Sequence, residues 1–345
     1  MENKQPIRQK VKLFLSLVLA GLLCSLSSCK KTESASFDGK VGVLFPSEIY
    51  SARWEDERVS LTKALEEKGF QVYSYPIKST GEVVSYLEEF EKEGLNALII
   101  ASVNTLSAKI ATALEALHAK KTYIVCYDRL QQNTDAVDLF ISASSYRAGE
   151  ILADALFVQQ LPKSSTVEII GGDALDKNAK EIYDGIWSKI SLKIHSGEWK
   201  VPSGKTSFEL TALDAWSKDV AAKRFIDILD TYYKKGELPD AIITASDVIA
   251  QGIVSVLDEM NIAVEKYPLI TGQDNTTESR ELVKAGKQTM TINKNPEKYI
   301  EATVAAIENV VENNAVESST LVNNGAKQVP VIQIEVTPVY KPDIQ

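Results

Sequence analysis

Carboxylates, guanidinium groups, an ammonium and side-chain amides recur in this chain just past short apolar runs. Arg53-Trp54 follows Val41–Phe45, and Asp128-Arg129 follows Tyr123–Tyr127. Gly171-Gly172, with Asp176-Lys177-Asn178 beyond it, follows Val167–Ile170. Ser246-Asp247 follows Ala241–Thr244, Gln273-Asp274-Asn275 follows Leu269–Thr271, and Asn293-Lys294 follows Thr289–Ile292. Trp54, and Trp216 in Asp214-Ala215-Trp216, add flat apolar faces. This mixture suits a small polyhydroxy ligand. A hydroxyl donates one hydrogen bond and accepts others, so carboxylates take the proton while guanidinium and ammonium groups fill the lone pairs. The C–H faces of a sugar ring are apolar and pack on indoles. A neutral ligand does not demand charge, but charge makes each hydrogen bond stronger.

Taken singly, each residue has a plainer role. Asp128 and Asp274 could be helix N-caps. Arg53, Arg129 and Lys294 could be solvated charges, and Trp216, like Trp187, could sit in the core. What outweighs these roles is recurrence at one topological position, because ligands of open α/β sheets bind outside the carboxyl ends of the strands.

The elements that must position these residues follow a βαβ cadence. The first four apolar runs, Val41–Phe45, Gln71–Tyr75, Ala97–Ala101 and Tyr123–Tyr127, begin 26 to 30 residues apart, and Leu139–Ser142 adds a fifth. Between them Leu106, Ile110, Leu114 and Leu117 share one helical face, as do Val83, Leu87 and Phe90. Later helices carry Ile249, Ile253, Val256, Leu257 and Met260, then Ile300, Val304, Ile307 and Val311. Nine strands exceed one comfortable sheet, so the expectation is an α/β protein of two doubly wound parallel-sheet lobes. No Gly/Ser-rich linker separates the lobes, which points to several chain crossings between them.

The N-terminus sets a compartment. Lys4, Arg8, Lys10 and Lys12 precede the apolar run Leu13–Leu23 and the ending Leu26-Ser27-Ser28-Cys29. That run is too short to span about 30 Å of hydrocarbon, and the pattern is that of a signal peptide. Of 345 residues, removing the first 28 leaves 34 Lys+Arg against 46 Asp+Glu, a net charge of −12. An acidic body argues against a nucleic-acid partner. With Cys24 cleaved away and Cys29 at the new terminus, Cys126 is the one free thiol, in a strand-like run that would bury it.

At these residues the sequence resembles the xylose-binding and multiple-sugar-binding proteins of bacterial ABC importers, from about residue 39 to 340. The blocks that carry the resemblance are Ala52-Arg53-Trp54, Tyr127-Asp128-Arg129, Gly171-Gly172, Asp176-Lys177-Asn178-Ala179, Asp214-Ala215-Trp216, Gly272-Gln273-Asp274, Met290 to Lys294, and Asn323-Asn324-Gly325 with Val329-Pro330. The resemblance implies a type I periplasmic-binding-protein fold hinged by three crossings, with one monosaccharide of the xylose, glucose, galactose or arabinose type in the cleft. Arg53, Asp128 and Arg129 would bind the sugar from the first lobe. Asp176, Asn178, Ser246, Asp274 and Lys294 would do so from the second lobe and hinge, and Trp54 and Trp216 would sandwich the ring. The expected division is 1–28 signal, 29–38 tether, 39–145 with 296–325 as the first lobe, and 146–295 with 326–345 as the second. Leu-Ser-Ser-Cys resembles a lipoprotein signal, which implies acylation at Cys29 and membrane anchoring in the periplasm or at the cell surface. Where the family has Phe-Asp-Asn and Asn-Asp, this chain has Ala143-Ser144-Ser145 and Ser246-Asp247, shorter polar groups that bear on specificity.

The function expected is a monomeric solute receptor delivering sugar to an ABC permease. The same residues would serve a sensor that presents its closed form to a chemoreceptor or sensor kinase. An enzyme such as an epimerase needs a general acid or base, and the two histidines, His118 and His195, fall outside the strand-end set. No cofactor or metal is expected. Gly204-Lys205-Thr206 lacks the preceding glycine of a phosphate loop and reads as a turn, and Asp176-Lys177-Asn178 lacks the glycine of a calcium loop.

Overall fold

The computed structural model describes residues 39–344 other than 315, 317 and 319. The signal segment, Cys29 and the tether lie outside them. The chain opens with β1 (Lys40–Pro46), α1 (Ala52–Glu67), β2 (Gln71–Ile77), α2 (Thr80–Glu93), β3 (Ala97–Ile100), α3 (Ala108–Ala119), β4 (Tyr123–Tyr127) and β5 (Leu139–Ala143). Residues alternate across this sheet: Val41, Val43 and Phe45 of β1 face one core, and Leu44 faces the other with Val83, Leu87 and Phe90 of α2. Ser79 and Ser107 cap α2 and α3 by accepting from the amides of Glu82 and Ile110. Leu106 precedes α3 and is 52% exposed, so the apolar face expected there begins only at Ile110.

The second lobe runs through α4 (Ser145–Val158), β6 (Val167–Ile170), α5 (Lys177–His195), the short α6 (Phe208–Thr211), α7 (Lys218–Tyr232), β7 (Ala241–Thr244), α8 (Asp247–Glu259), β8 (Leu269–Ile270), α9 (Thr277–Ala285) and β9 (Met290–Asn293). Strands β6, β7 and β8 form a parallel sheet. Helices α4 and α5 approach at Gly149 and Gly185. A Cβ on either glycine would lie 2.0 Å from a carbonyl oxygen of the other helix, so only glycine permits this packing. Met260 caps α8 and is 43% exposed, outside the buried face that Ile249, Ile253, Val256 and Leu257 form.

The chain then returns through α10 (Pro296–Val311), β10 (Thr320–Asn323), β11 (Gln328–Ile334) and β12 (Thr337–Tyr340). All nine expected strands form, and these last three join them. The first sheet has the order β10-β11-β5-β4-β3-β1-β2, parallel except for β10. The division expected at residue 326 needs correction. Strand β11 pairs with β5 in the first sheet, with Val329 and Val331 buried there, and only β12 reaches the second lobe, pairing with β9. The crossings therefore lie at β5–α4, β9–α10 and β11–β12.

Candidate functional site

The carboxyl ends of both sets of strands face one another across a narrow cleft. All ten residues expected at the site line it: Arg53, Trp54, Asp128, Arg129, Asp176, Asn178, Trp216, Ser246, Asp274 and Lys294. The reason is local in each case. Arg53 and Trp54 occupy the first turn of α1, where β1 ends, and Trp54 is anchored edge-on to Phe45 with ring centroids 5.9 Å apart. Asp128 adopts φ 58° directly after β4, donates its amide to Ile141 O at 2.8 Å, and so leaves the strand with its carboxylate in the cleft. Neither Asp128 nor Asp274 caps a helix. That role falls to Asp176, whose Oδ1 accepts from Asn178 N at 2.9 Å, and to Ser246, which accepts from Ile249 N.

Arg53 is the hub. Its Nη1 donates to Asp274 Oδ1 and its Nη2 to Asp128 Oδ2, each at 3.0 Å, and its Nε makes a 3.1 Å ion-pair contact with Glu57. The cation is 8% exposed; burial opposes its charge, yet Glu57, Asp128 and Asp274 hold it firmly protonated. Lys294 lies 3.6 Å from Asp128 and 3.5 Å from Asp274, and Arg129 Nε lies 3.4 Å from Asp176. Burial would raise the pKa of Asp128, but Lys294, Arg53, Arg129 and a hydroxyl from Tyr299 hold it well below the usual carboxylate range. Glu57, beneath the cleft, is pushed up by burial despite Arg53 and the Tyr127 hydroxyl that donates to it at 2.7 Å.

These contacts cross between lobes. Arg53–Asp274, Arg129–Asp176 and Lys294–Asp128 are all inter-lobe pairs, and Asn178 Nδ2 donates to Asp128 O at 2.7 Å. Arg53, Arg129 and Lys294 thus do not face bulk water; each has a carboxylate partner on the opposite lobe.

The two indoles differ. Trp216 Nε1 donates to Asp176 Oδ2 at 3.1 Å, and its ring lies on Gly172, where a Cβ would fall 2.2 Å from it. Trp54 is 3% exposed, with the Arg53 and Arg129 guanidiniums 4.3 and 5.1 Å from its ring centroid, so it stacks on the cations of the cleft. Trp187, expected in the core, is half-buried and stacks on Tyr183.

Five lining residues were not singled out from sequence as ligands: Tyr50, Ser51, Ile182, Val248 and Gln273. Tyr50 and Ser51 sit in the same post-strand loop as Arg53, Gln273 adjoins Asp274, and Ile182 is one helical turn past Asn178, so position alone carried a signal for four of them. Ser51 Oγ and Gln273 Oε1 are buried and, among the described residues, have no hydrogen-bond partner. His118 bonds Asp138 at the end of α3 and His195 packs on Trp187, both away from the cleft. Among the described residues no group of three His, Cys, Asp or Glu side chains is placed to hold a metal.

With this geometry, residues 41–315 match the periplasmic binding protein domain. The chain belongs to that family. It is a solute-binding protein, not an enzyme. This binding protein is 28% identical to the multiple sugar-binding periplasmic receptor ChvE of Rhizobium radiobacter, over 86% of this chain and 85% of that one. It is 25% identical to the D-xylose-binding periplasmic protein of Escherichia coli strain K12, over 89% and 88%. Among solved structures it is similar to an ABC transporter solute-binding protein from Clostridium phytofermentans with bound β-D-glucose. That match has a TM-score of 0.83 and 25% identity, covering 88% of this chain and 94% of the other.

Proposed function

We propose that this protein captures a monosaccharide between its lobes and delivers it to the permease of an ABC importer. The observation that carries the reading is the charge balance of the cleft. Three cations (Arg53, Arg129, Lys294) meet three carboxylates (Asp128, Asp176, Asp274), beside the unpartnered polar atoms of Ser51 and Gln273. Such a lining favours a neutral ligand rich in hydroxyls over an anionic or cationic one. Sugar hydroxyls donate to the carboxylates and accept from Arg53, Arg129, Lys294 and Asn178, while Trp216 and Trp54 take the apolar C–H faces. Losing one such hydroxyl strands a buried polar group at about 1–3 kcal/mol, or tenfold to a hundredfold in affinity. The sugars bound by the relatives support a pentose or hexose of the xylose, glucose, galactose or arabinose type. Because the cross-cleft pairs form only when the lobes meet, closure and ligand capture are one equilibrium, and the closed form is what a permease would sense.

The basic segment, short apolar run and Cys29 support export and a lipid anchor. Several acyl chains on Cys29 would hold the protein to a membrane, where a single chain holds only marginally. Cys29→Ala should release the protein into the soluble exported fraction. The function itself is tested by a thermal-shift screen of purified residues 30–345 against pentoses, hexoses and their uronic acids. Bound ligand raises the midpoint by mass action. A neutral sugar should raise it most; a larger rise with a uronic acid, or none with any sugar, would sink the proposal.

A further inference from the structure

Beneath the cleft, where Tyr127 bonds Glu57, a further tyrosine bonds Asp128. Tyr299, on the first turn of α10, is 1% exposed, and its hydroxyl donates to Asp128 Oδ1 at 2.9 Å. The Tyr299 hydroxyl oxygen in turn accepts the backbone N–H of Ala143, the last residue of β5. Its ring packs on Tyr127, with centroids 4.9 Å apart. Ala143 is the last residue before the β5–α4 crossing, and Tyr299 follows the β9–α10 crossing by one turn. One phenol oxygen therefore joins a cleft carboxylate to two of the three hinge segments. Asn295, in the second of these segments, adopts φ 55° and donates through Nδ2 to Glu335 O, which lies in the third.

We propose that Tyr299 is a positioning residue that holds Asp128 in its ligand-binding geometry and sets how many sugar hydroxyls that carboxylate can take. This rests on the sugar-binding reading above. Oδ1 is occupied by Tyr299, whereas Oδ2 faces Arg53 and Lys294 in the cleft. Asp128 thus offers the ligand one oxygen in one orientation, fixed by a buried hydrogen bond to a charged acceptor. Without the hydroxyl the carboxylate gains a second free oxygen and can turn about its side-chain torsions, so it fits several hydroxyl arrangements and favours none.

The test is Tyr299→Phe, which keeps the ring and its contact with Tyr127 while deleting the hydroxyl. Calorimetry against the best monosaccharide and its monodeoxy and epimeric analogues gives both affinity and discrimination. For the wild type one hydroxyl position should dominate, its deoxy analogue binding at least tenfold more weakly. In Tyr299→Phe the parent sugar should bind about tenfold or more weakly, and that discrimination should shrink several-fold. Hydrogen exchange on the sugar-free protein should show faster exchange at the Ala143 amide, with the remaining β5 amides unchanged. A weaker affinity with discrimination intact would mean a structural role only and would overturn the proposal; so would unchanged affinity and unchanged exchange. If the wild type binds no sugar, the sugar reading has failed, and exchange at Ala143 alone then decides whether the phenol holds this hinge strand. Should Tyr299→Phe fail to fold, incorporation of 3-fluorotyrosine at 299 applies the opposite perturbation. Its more acidic hydroxyl donates more strongly to Asp128, and discrimination should rise; unaltered discrimination would count against the proposal.

Discussion

Asp247 supplies a pH-dependent stability that can be worked out from its surroundings. It is the first residue of α8 and fully buried, and its carboxylate accepts from Thr276 N at 3.0 Å, Thr276 Oγ1 at 3.3 Å, Gln288 Nε2 at 3.0 Å and Thr291 Oγ1 at 2.8 Å. These partners are neutral. The charged group that acts on it is Asp274, and burial reinforced by that repulsion raises its pKa from 3.8 to about 7 in spite of the hydrogen bonds. The native state therefore binds this proton more tightly than the unfolded chain does. The contribution of Asp247 to stability is greatest below the unfolded pKa and is lost as pH rises from about 4 to about 7. The slope is about 1.4 kcal/mol per pH unit, and the whole is on the order of 4 kcal/mol. Asp247→Asn removes the titration and leaves a tolerable site. The amide oxygen still accepts from Thr276, and Gln288, whose Oε1 is buried and unpartnered, can turn to accept from the new N–H₂. Chemical denaturation at pH 5, 6, 7 and 8 should show wild-type stability falling with rising pH more steeply than that of Asp247→Asn. Glu57 and Glu168, also raised by burial, contribute slopes of the same sign to both proteins, so the difference isolates Asp247. Parallel stability curves across this range would refute the reasoning.

Three further outcomes are expected. Arg129→Ala or Asp274→Ala should abolish or weaken sugar binding by at least tenfold to a hundredfold in calorimetry while leaving the thermal midpoint nearly unchanged, because each removes a charge-assisted ligand partner at the rim of both cores. In Gly172→Ala the new methyl would fall 2.2 Å from the Trp216 ring, so the indole must leave its seat; binding and the ligand-induced change in tryptophan fluorescence should fall together, with the fold retained. Cys126 is fully buried and its thiol is pushed up to about 12, so iodoacetamide should leave it unmodified in the native protein at pH 8 and alkylate it once denatured.

The local code of this chain is strong where period and punctuation agree. Val41–Phe45 and Ala97–Ala101 announce themselves by β-branched, apolar runs, and Ser79 and Ser107 mark helix starts by the only chemistry an exposed first turn requires. Strands β10 to β12 were less legible. Their burial alternates weakly, Thr320 and Leu321 are exposed, and Pro330 interrupts β11, so periodicity alone could not assign Gln328–Ile334 to the first sheet. Tyr299 was invisible as a site residue for a related reason: on α10 it reads as one more apolar position beside Ile300 and Val304.

Sequence by itself determined which groups stand at the strand ends, since a βαβ chain places the residue after each strand on the same edge of its sheet. It thereby determined the polarity of the cleft and ten of the side chains that line it. Only the tertiary structure decided what those groups do to one another. That Arg53 joins Asp128 to Asp274, that Asp176 caps a helix while receiving the Trp216 N–H, and that Glu57 and Tyr299 lie beneath the floor depends on partners 4 to 221 residues away in the chain. Ion pairs and buried hydrogen bonds act over a few ångströms of space, and local patterning carries no record of which distant residue will fill that distance.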